Sequence, residues 1–178
     1  QQLGIDVTVL ADYPAAVQLA EIDLVVIASP NDSHARLAEL ALRAGKHVVV
    51  DKPFALTYKE AKALTALATE QKLLLSVFHN RRFDADFLSL QHLLNSAQLG
   101  QVAHLESRFD RFRPQVRQRW REQAGPGAGL WFDLGPHLLD QSLVLFGLPH
   151  SITASLKTVR PDATATDWFS VLLDYGHF

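Results

Sequence analysis

The spacing of hydrophobic positions changes character along this chain, and the change divides it. Leu24-Val25-Val26-Ile27-Ala28 is a continuous apolar, β-branched run, the pattern of a strand buried on both faces of a parallel sheet. Leu37, Leu40, Ala41 and Ala44 follow at helical spacing; Asn31 or Asp32 is placed to cap that helix, and Gly45 stands where a left-handed C-terminal cap belongs. Residues 47–50 give the next strand. Thr57-Tyr58-Lys59-Glu60 is a capping box, in which the Thr hydroxyl accepts from the Glu backbone N–H while the carboxylate reaches back. It opens a helix to about residue 71, with Leu64, Leu67 and Ala68 on the apolar side. Residues 73–78 predict a third buried strand. Ahead of this run, residues 5–10 read as a short strand and 15–20 as a scrap of helix.

The order is β-α-β-α-β, with connections short enough to require right-handed parallel crossovers. Polar residues follow each strand: Ser29-Pro30-Asn31, then Asp51-Lys52-Pro53, then His79-Asn80-Arg81-Arg82. In open parallel sheets ligands bind beyond the carboxyl ends of the strands, so this edge is one wall of a binding site. After residue 84 the period differs. A helix is expected over 84–95 and a long strand over 101–112, where charged residues alternate with Leu105 and Phe109. A loop of about fifteen residues ends in Gly125-Pro126-Gly127-Ala128-Gly129. A helix over 130–146, closed by Gly147 and Pro149, precedes strands 152–159 and 167–175, joined by the turn formers Arg160-Pro161-Asp162. Strands in sequence without helical crossovers indicate an antiparallel sheet. The fold class is therefore α/β, with a partial parallel sheet in residues 1–80 and a partial α+β domain with a mainly antiparallel sheet in residues 81–178.

Composition narrows the function. The 178 residues are 48% hydrophobic and 20% charged, with a formal net charge of −2, which argues against a nucleic-acid binder working by bulk charge. The absence of cysteine excludes disulfides, thiolate metal sites and a thiol nucleophile, and fits a cytoplasmic location. No apolar run reaches membrane-spanning length. The chain has no methionine and stops just after a strand-like run, so a piece of a longer protein is expected.

Four groups of residues carry candidate chemistry. Gly125, Gly127 and Gly129 precede a helix, but Leu130 stands where a dinucleotide fingerprint needs its third glycine, and a turn with close backbone approach accounts for them better. Asp133, His137 and Asp140 share a helix face by their spacing; Pro136 should bend that helix or restart it. A core histidine satisfied by the carboxylate one turn earlier explains the same spacing as well as a catalytic pair does. An Asp–His metal site would draw a further ligand from His79 or Asp51. Lys52, between Asp51 and Pro53 at a strand end, is either a rigidly held functional amine or an ordinary loop lysine. Arg108, Arg111, Arg113, Arg117, Arg119 and Arg121 read mostly as a solvated or salt-bridged face, with one or two able to meet a pyrophosphate or a polyol.

Together these motifs resemble the glucose–fructose oxidoreductase / inositol dehydrogenase / rhizopine-catabolism (Gfo/Idh/MocA) family. Ser29-Pro30-Asn31-Asp32-Ser33-His34 is similar to its Thr-Pro-Asn-x-x-His segment, and Gly45-Lys46-His47-Val48-Val49-Val50-Asp51-Lys52-Pro53 to its Gly-Lys-His-Val-x-x-Glu-Lys-Pro signature. Asn80-Arg81-Arg82-Phe83, and Trp120-Arg121 followed by Asp133-x-x-x-His137-x-x-Asp140, resemble its later motifs. The resemblance implies a Rossmann-like first domain and a dehydrogenase using NAD or NADP on a sugar, polyol or cyclitol, within a homo-oligomer (a dimer or a tetramer). It implies that Lys52 polarises the reacting oxygen, that His137 is the general acid/base and that Asp133 positions it. Ser29, Pro30, Asn31, His34 and Asp51 lie along the cofactor in that reading, and Trp120 and Arg121 close over its nicotinamide end. Asn80, Arg81 and Asp140 are assigned to substrate, no metal is required, and a cis bond is expected at Lys52-Pro53. Asp51 replaces the signature glutamate, and the family's glycine fingerprint is not found in the chain. That missing fingerprint motivates an alternative, a non-catalytic ligand-sensing or partner-binding module on the same scaffold. A metal-dependent isomerase or hydrolase using Asp133, His137 and His79 is a third reading.

Overall fold

The computed structural model describes residues 7–176. The chain divides into two compact units, Gln1–Val77 and Phe78–Phe178. Part of the strand expected over 5–10 lies outside the described residues, and residues 7–10 are irregular. In place of a helical scrap over 15–20 there is a single turn, α1 (Tyr13–Ala16), with Pro14 early in it.

The first unit is built on β1 (Leu24–Ile27), β2 (His47–Asp51) and β3 (Leu75–Phe78), joined by α2 (His34–Arg43) and α3 (Tyr58–Gln71). The strand order is β1-β2-β3, and β1 runs parallel to β2 with Leu24 opposite His47 and Ile27 opposite Val50. Two right-handed crossovers in that order place both helices on the same side. That explains a departure from the expected double burial of β1. Val25, Ile27, Val48 and Val50 pack against Ala38, Ala41, Leu42, Leu64 and Ala68 in one core. Val26, on the opposite face, is 66% exposed. Fully burying each valine contributes roughly 1.5–3 kcal/mol, so the helix-covered face supplies the stability of this unit.

The capping box of α3 forms as expected: Glu60 N–H donates to Thr57 Oγ1 at 3.2 Å and Thr57 N–H to Glu60 Oε2 at 3.0 Å. The cap of α2 differs. Neither Asn31 nor Asp32 caps it; both belong to a 3-10 turn, Asn31–Ser33, after which α2 starts at His34 with no side-chain cap. A 3-10 turn closes backbone bonds locally and removes the need for a side-chain acceptor. Gly45 adopts φ +75° after α2, the left-handed value its position implies.

The second unit contains α4 (Ala85–Asn95), α5 (Leu130–Phe146), β4 (Ser151–Lys157) and β5 (Trp168–Asp174). The two strands pair antiparallel, from Ser151 opposite Asp174 to Lys157 opposite Trp168. α5 packs on β5 through Trp131, whose ring meets Phe169 edge-on at 5.4 Å. It runs as one helix through Pro136, so of the two expectations there, a bend or a restart, the restart does not occur. The strand expected over 101–112 is absent; those residues are irregular. Alternation encodes a face, whereas a strand also needs a neighbour to complete its hydrogen-bond ladder. Here β4 and β5 pair with each other.

Candidate active site

The first unit presents its polar residues where β1 and β2 end. Beyond β1, the Ser29 and Ser33 hydroxyls are hydrogen-bonded to each other, and Ser33 Oγ donates to the Pro30 carbonyl at 2.6 Å. Asn31 is buried. Beyond β2, Asp51 Oδ1 accepts from the Lys52 backbone N–H at 2.8 Å, and the Lys52–Pro53 bond is cis, as the resemblance implied. His34 joins the two loops. Its Nδ1 lies 2.8 Å from the Pro53 carbonyl and its Nε2 2.9 Å from the Ser29 carbonyl, and the residue is 1% exposed. Both ring nitrogens face backbone within this unit, so His34 acts on the edge by fixing the loops that form it. The residues present suit a dinucleotide: polar loops held rigidly at the carboxyl edge of a parallel sheet are where this class of fold binds one. Ser29, Pro30, Asn31 and Asp51 lie on the two loops at that edge.

In the second unit the candidates cluster on α5. Gly129 precedes the helix at φ +91°, where a Cβ would lie 2.9 Å from the Thr166 carbonyl oxygen. The same contact lets Leu130 N–H donate to that oxygen at 2.6 Å, so the glycine fixes where the helix starts. Gly135 is needed for a different reason: its Cβ would stand 2.7 Å from the Trp131 ring. His137 and Asp140 are 6% and 8% exposed, and Asp133 is half-buried.

Asp140 is held by Arg82, which the sequence reading did not assign. Arg82 Nε donates to Oδ2 at 2.7 Å and Nη2 to Oδ1 at 2.6 Å, a two-pronged charge-assisted pair. The bond to Asp140 raises the Arg82 pKa further above its ordinary value. His79 Nδ1 lies 3.7 Å from the same carboxylate. Gln141 Nε2 donates to the Arg81 carbonyl at 3.1 Å, so the 3-10 turn Asn80–Phe83 is tied to α5 at two points. Arg81 pairs with Asp84 at 2.7 Å and lies over the Phe109 ring. Asn80 is exposed. Arg121 stacks on Trp120 at 4.4 Å and places Nε 3.7 Å from Asp133 Oδ1, which joins three residues singled out separately from the sequence. Among the described residues no group of three or more His, Cys, Asp or Glu side chains is arranged to hold a metal ion.

A second ion-pair network was not legible in the sequence. Glu122, from the 3-10 turn Trp120–Glu122, accepts from Arg119 Nε at 2.6 Å, from the Arg117 backbone N–H at 3.1 Å and from Arg160 Nη1 at 3.1 Å. Arg160 also donates to Asp167 at 2.8 Å. Burial pushes both carboxyl groups up, but these hydrogen bonds outweigh it and hold Glu122 and Asp167 below the ordinary carboxylate range. Arg119 is thus part of a lock rather than a solvated face, while Arg108, with its ion pairs to Glu106 and Asp110, does sit on an exposed one.

A parallel α/β unit with a polar carboxyl edge, followed by an α+β unit carrying a buried histidine on one helix face, is an architecture of the Rossmann type. Residues 1–79 match the oxidoreductase family with an NAD-binding Rossmann fold, and residues 87–177 match the GFO/IDH/MocA C-terminal domain; the chain belongs to that family. It is 56% identical to the Escherichia coli oxidoreductase YdgJ, with 94% of this chain and 51% of that protein aligned. It is 41% identical to the Bacillus subtilis scyllo-inositol 2-dehydrogenase (NADP(+)) IolW, with 87% of this chain and 43% of that protein aligned. A Klebsiella pneumoniae crystal structure described as an oxidoreductase superposes with a TM-score of 0.86 at 59% identity, covering 97% of this chain and 48% of that one. The chain spans about half the length of the curated relatives it matches. The cofactor of the family is a nicotinamide dinucleotide. No helix among the described residues is long and apolar enough to cross a membrane.

Proposed function

We propose that the intact protein is an NAD(P)-dependent dehydrogenase that oxidises a secondary hydroxyl of a sugar, polyol or cyclitol, or reduces the corresponding carbonyl. The observation that carries this reading is the face of α5, where His137 is buried beside two carboxylates whose partners differ. Inositol dehydrogenases among the relatives, from Bacillus subtilis and from Rhizobium meliloti, support the substrate class.

The bound nicotinamide supplies the hydride acceptor. The chain's own residues supply orientation and the proton path. The Lys52 ammonium donates to the reacting oxygen and favours charge developing there. The His137 imidazole takes the hydroxyl proton, a role suited to a group whose unperturbed pKa is about 6.5. Asp133, one turn earlier on the same helix, orients the ring. Ser29, Pro30, Asn31 and Asp51 hold the dinucleotide at the strand ends, while His34 keeps their two loops in register. Trp120 and Arg121, stacked on each other, close over the nicotinamide end. Asn80 and Arg81 line the approach of the substrate, and Asp140 acts there through Arg82.

The test is turnover of the intact protein with NAD+ and NADP+ over a panel of polyols, sugars and cyclitols, comparing wild type with Lys52→Ala and His137→Gln. Loss of a general acid/base lowers kcat by about 10²–10⁴, and each variant should lose activity in that range while still binding the dinucleotide. Wild-type turnover in both variants, or no turnover with any panel member, overturns the reading. In the second case, carbohydrate binding without a dinucleotide would identify a sensor module instead.

A further inference from the structure

Beside the α5 face, within the second unit, lies a cavity of about 350 Å3 whose wall includes Asp133. Its other polar residues are mostly arginines, and they are not equivalent. Arg119 and Arg160 are consumed by the lock on Glu122 and Asp167, and Arg121 is shared between Trp120 and Asp133. Arg111 and Arg113 also line the cavity. Neither side chain forms an ion pair or a side-chain hydrogen bond among the described residues. Arg113 is half-buried all the same. Its pKa is lowered, first by desolvation and then by the like charges of Arg117, Arg111 and Arg119, which together outweigh the opposing pull of the Glu122 carboxylate.

An arrangement of this kind opposes its own charge. Two guanidinium groups that form no ion pair among the described residues, at the wall of a cavity whose three carboxylates are already engaged by other arginines, have room for an anion. Guanidinium forks match the oxygens of carboxylate and phosphate. We propose that this cavity binds an oxyanion carried by the substrate, held by Arg113 and Arg111 at the end remote from the reacting carbon. The inference rests on the proposed dehydrogenase reading and narrows it: the preferred substrate is a polyol bearing a carboxylate or a phosphate, rather than a neutral sugar. Asp133, at the edge of the same cavity, then meets the hydroxylated part of that substrate.

The experiment separates anion binding from catalysis. Isothermal titration of the intact protein, without any dinucleotide and at fixed ionic strength, would use inorganic phosphate, glucuronate, glucose 6-phosphate and neutral glucose. Wild type should bind phosphate and at least one of the two anionic sugars, and the sugar that binds identifies whether carboxylate or phosphate is the natural group. Arg113→Gln should weaken that binding about tenfold, the ratio one charge-assisted hydrogen bond supplies. Because Arg113 has no ion pair to lose among the described residues and sits among like charges, the variant should unfold at the same denaturant concentration as wild type or a higher one. Unchanged anion affinity in Arg113→Gln overturns the proposal, as does glucose binding as tightly as the anionic sugars. So does a loss of fold in the variant, because it would show that Arg113 is held by the protein itself. Failure of the dehydrogenase reading would appear separately, as an absence of nicotinamide reduction by a protein that still binds the anion.

Discussion

Replacing Arg82 by alanine tests the clearest structural element of the α5 face. The Asp140 side chain is 10% exposed and that of Arg82 is 48% exposed, with both prongs of the pair at 2.6–2.7 Å. Exposed ion pairs contribute about 0.2–1 kcal/mol. Breaking a fully buried pair costs about 3–5 kcal/mol, because the surviving charge is left without compensation. Here the carboxylate is dry and the guanidinium half wet, so the expected loss lies between those limits, at about 2 kcal/mol. His79, 3.7 Å from the carboxylate, gives a partial substitute and argues against the upper limit. Asp140→Asn keeps the shape but removes the charge, and the double variant should cost less than the two single losses added together. A double-mutant cycle read by urea unfolding of the intact protein should give a coupling of about 1–2 kcal/mol. A coupling below about 0.5 kcal/mol would refute the view that this pair fastens the turn after β3 to α5.

Two further outcomes follow from the same unit. Gly129→Ala places a Cβ 2.9 Å from a backbone oxygen at φ +91° and should cost about 2 kcal/mol or more. Gly125→Ala, with nothing within 4 Å of its Cβ, should change stability by less than about 0.5 kcal/mol; equal unfolding midpoints for the two would contradict the close approach to Thr166. Glu122 and Asp167, held below the ordinary carboxylate range, contribute stability that is complete above a pH of about 4 and is lost as the pH falls through their lowered values. The stability gap between wild type and Glu122→Gln should therefore be widest near neutrality and close in acid, and a gap independent of pH would remove the carboxylate from the lock.

What the sequence made legible is what neighbours in sequence decide. The Thr57–Glu60 capping box, the turn at Gly45 and the parallel strands β1 and β2 depend on residues a few positions apart or on repeated β-branched runs, and they appear where expected. The shared stripe of Asp133, His137 and Asp140 is likewise a matter of helix periodicity. The misses have one origin in partners distant along the chain. Residues 101–112 alternate as a strand should, yet strand formation depends on a second strand that no local pattern names. Burial of only one face of β1 depends on where two crossovers put their helices. Glu122 drew no notice because its value comes from Arg160, 38 residues away, and Arg82 because its partner is 58 residues away. Arginine-rich segments look alike until their carboxylates are located, so the sequence could not divide Arg119, locked on Glu122, from Arg113, which forms no ion pair among the described residues.

That division also assigns different work to the two carboxylates of α5. Spacing alone treats them as equals, since both fall on the His137 stripe. Asp140 accepts two short bonds from one guanidinium, which occupies both of its oxygens and fixes its position; a carboxylate in that state serves as an anchor. Asp133 meets Arg121 at 3.7 Å through a single nitrogen, beyond the length of a hydrogen bond, and that arginine is shared with the Trp120 ring. A forked carboxylate would have to break its pair to adjust its hydrogen bonds as an imidazole gains and loses a proton. Ion-pair geometry thus favours Asp133 over Asp140 as the carboxylate that orients His137 in the proposed reaction. Asp133 is also the one of the two that lines the arginine-rich cavity, so the carboxylate left to the imidazole is the one that a substrate in that cavity would meet.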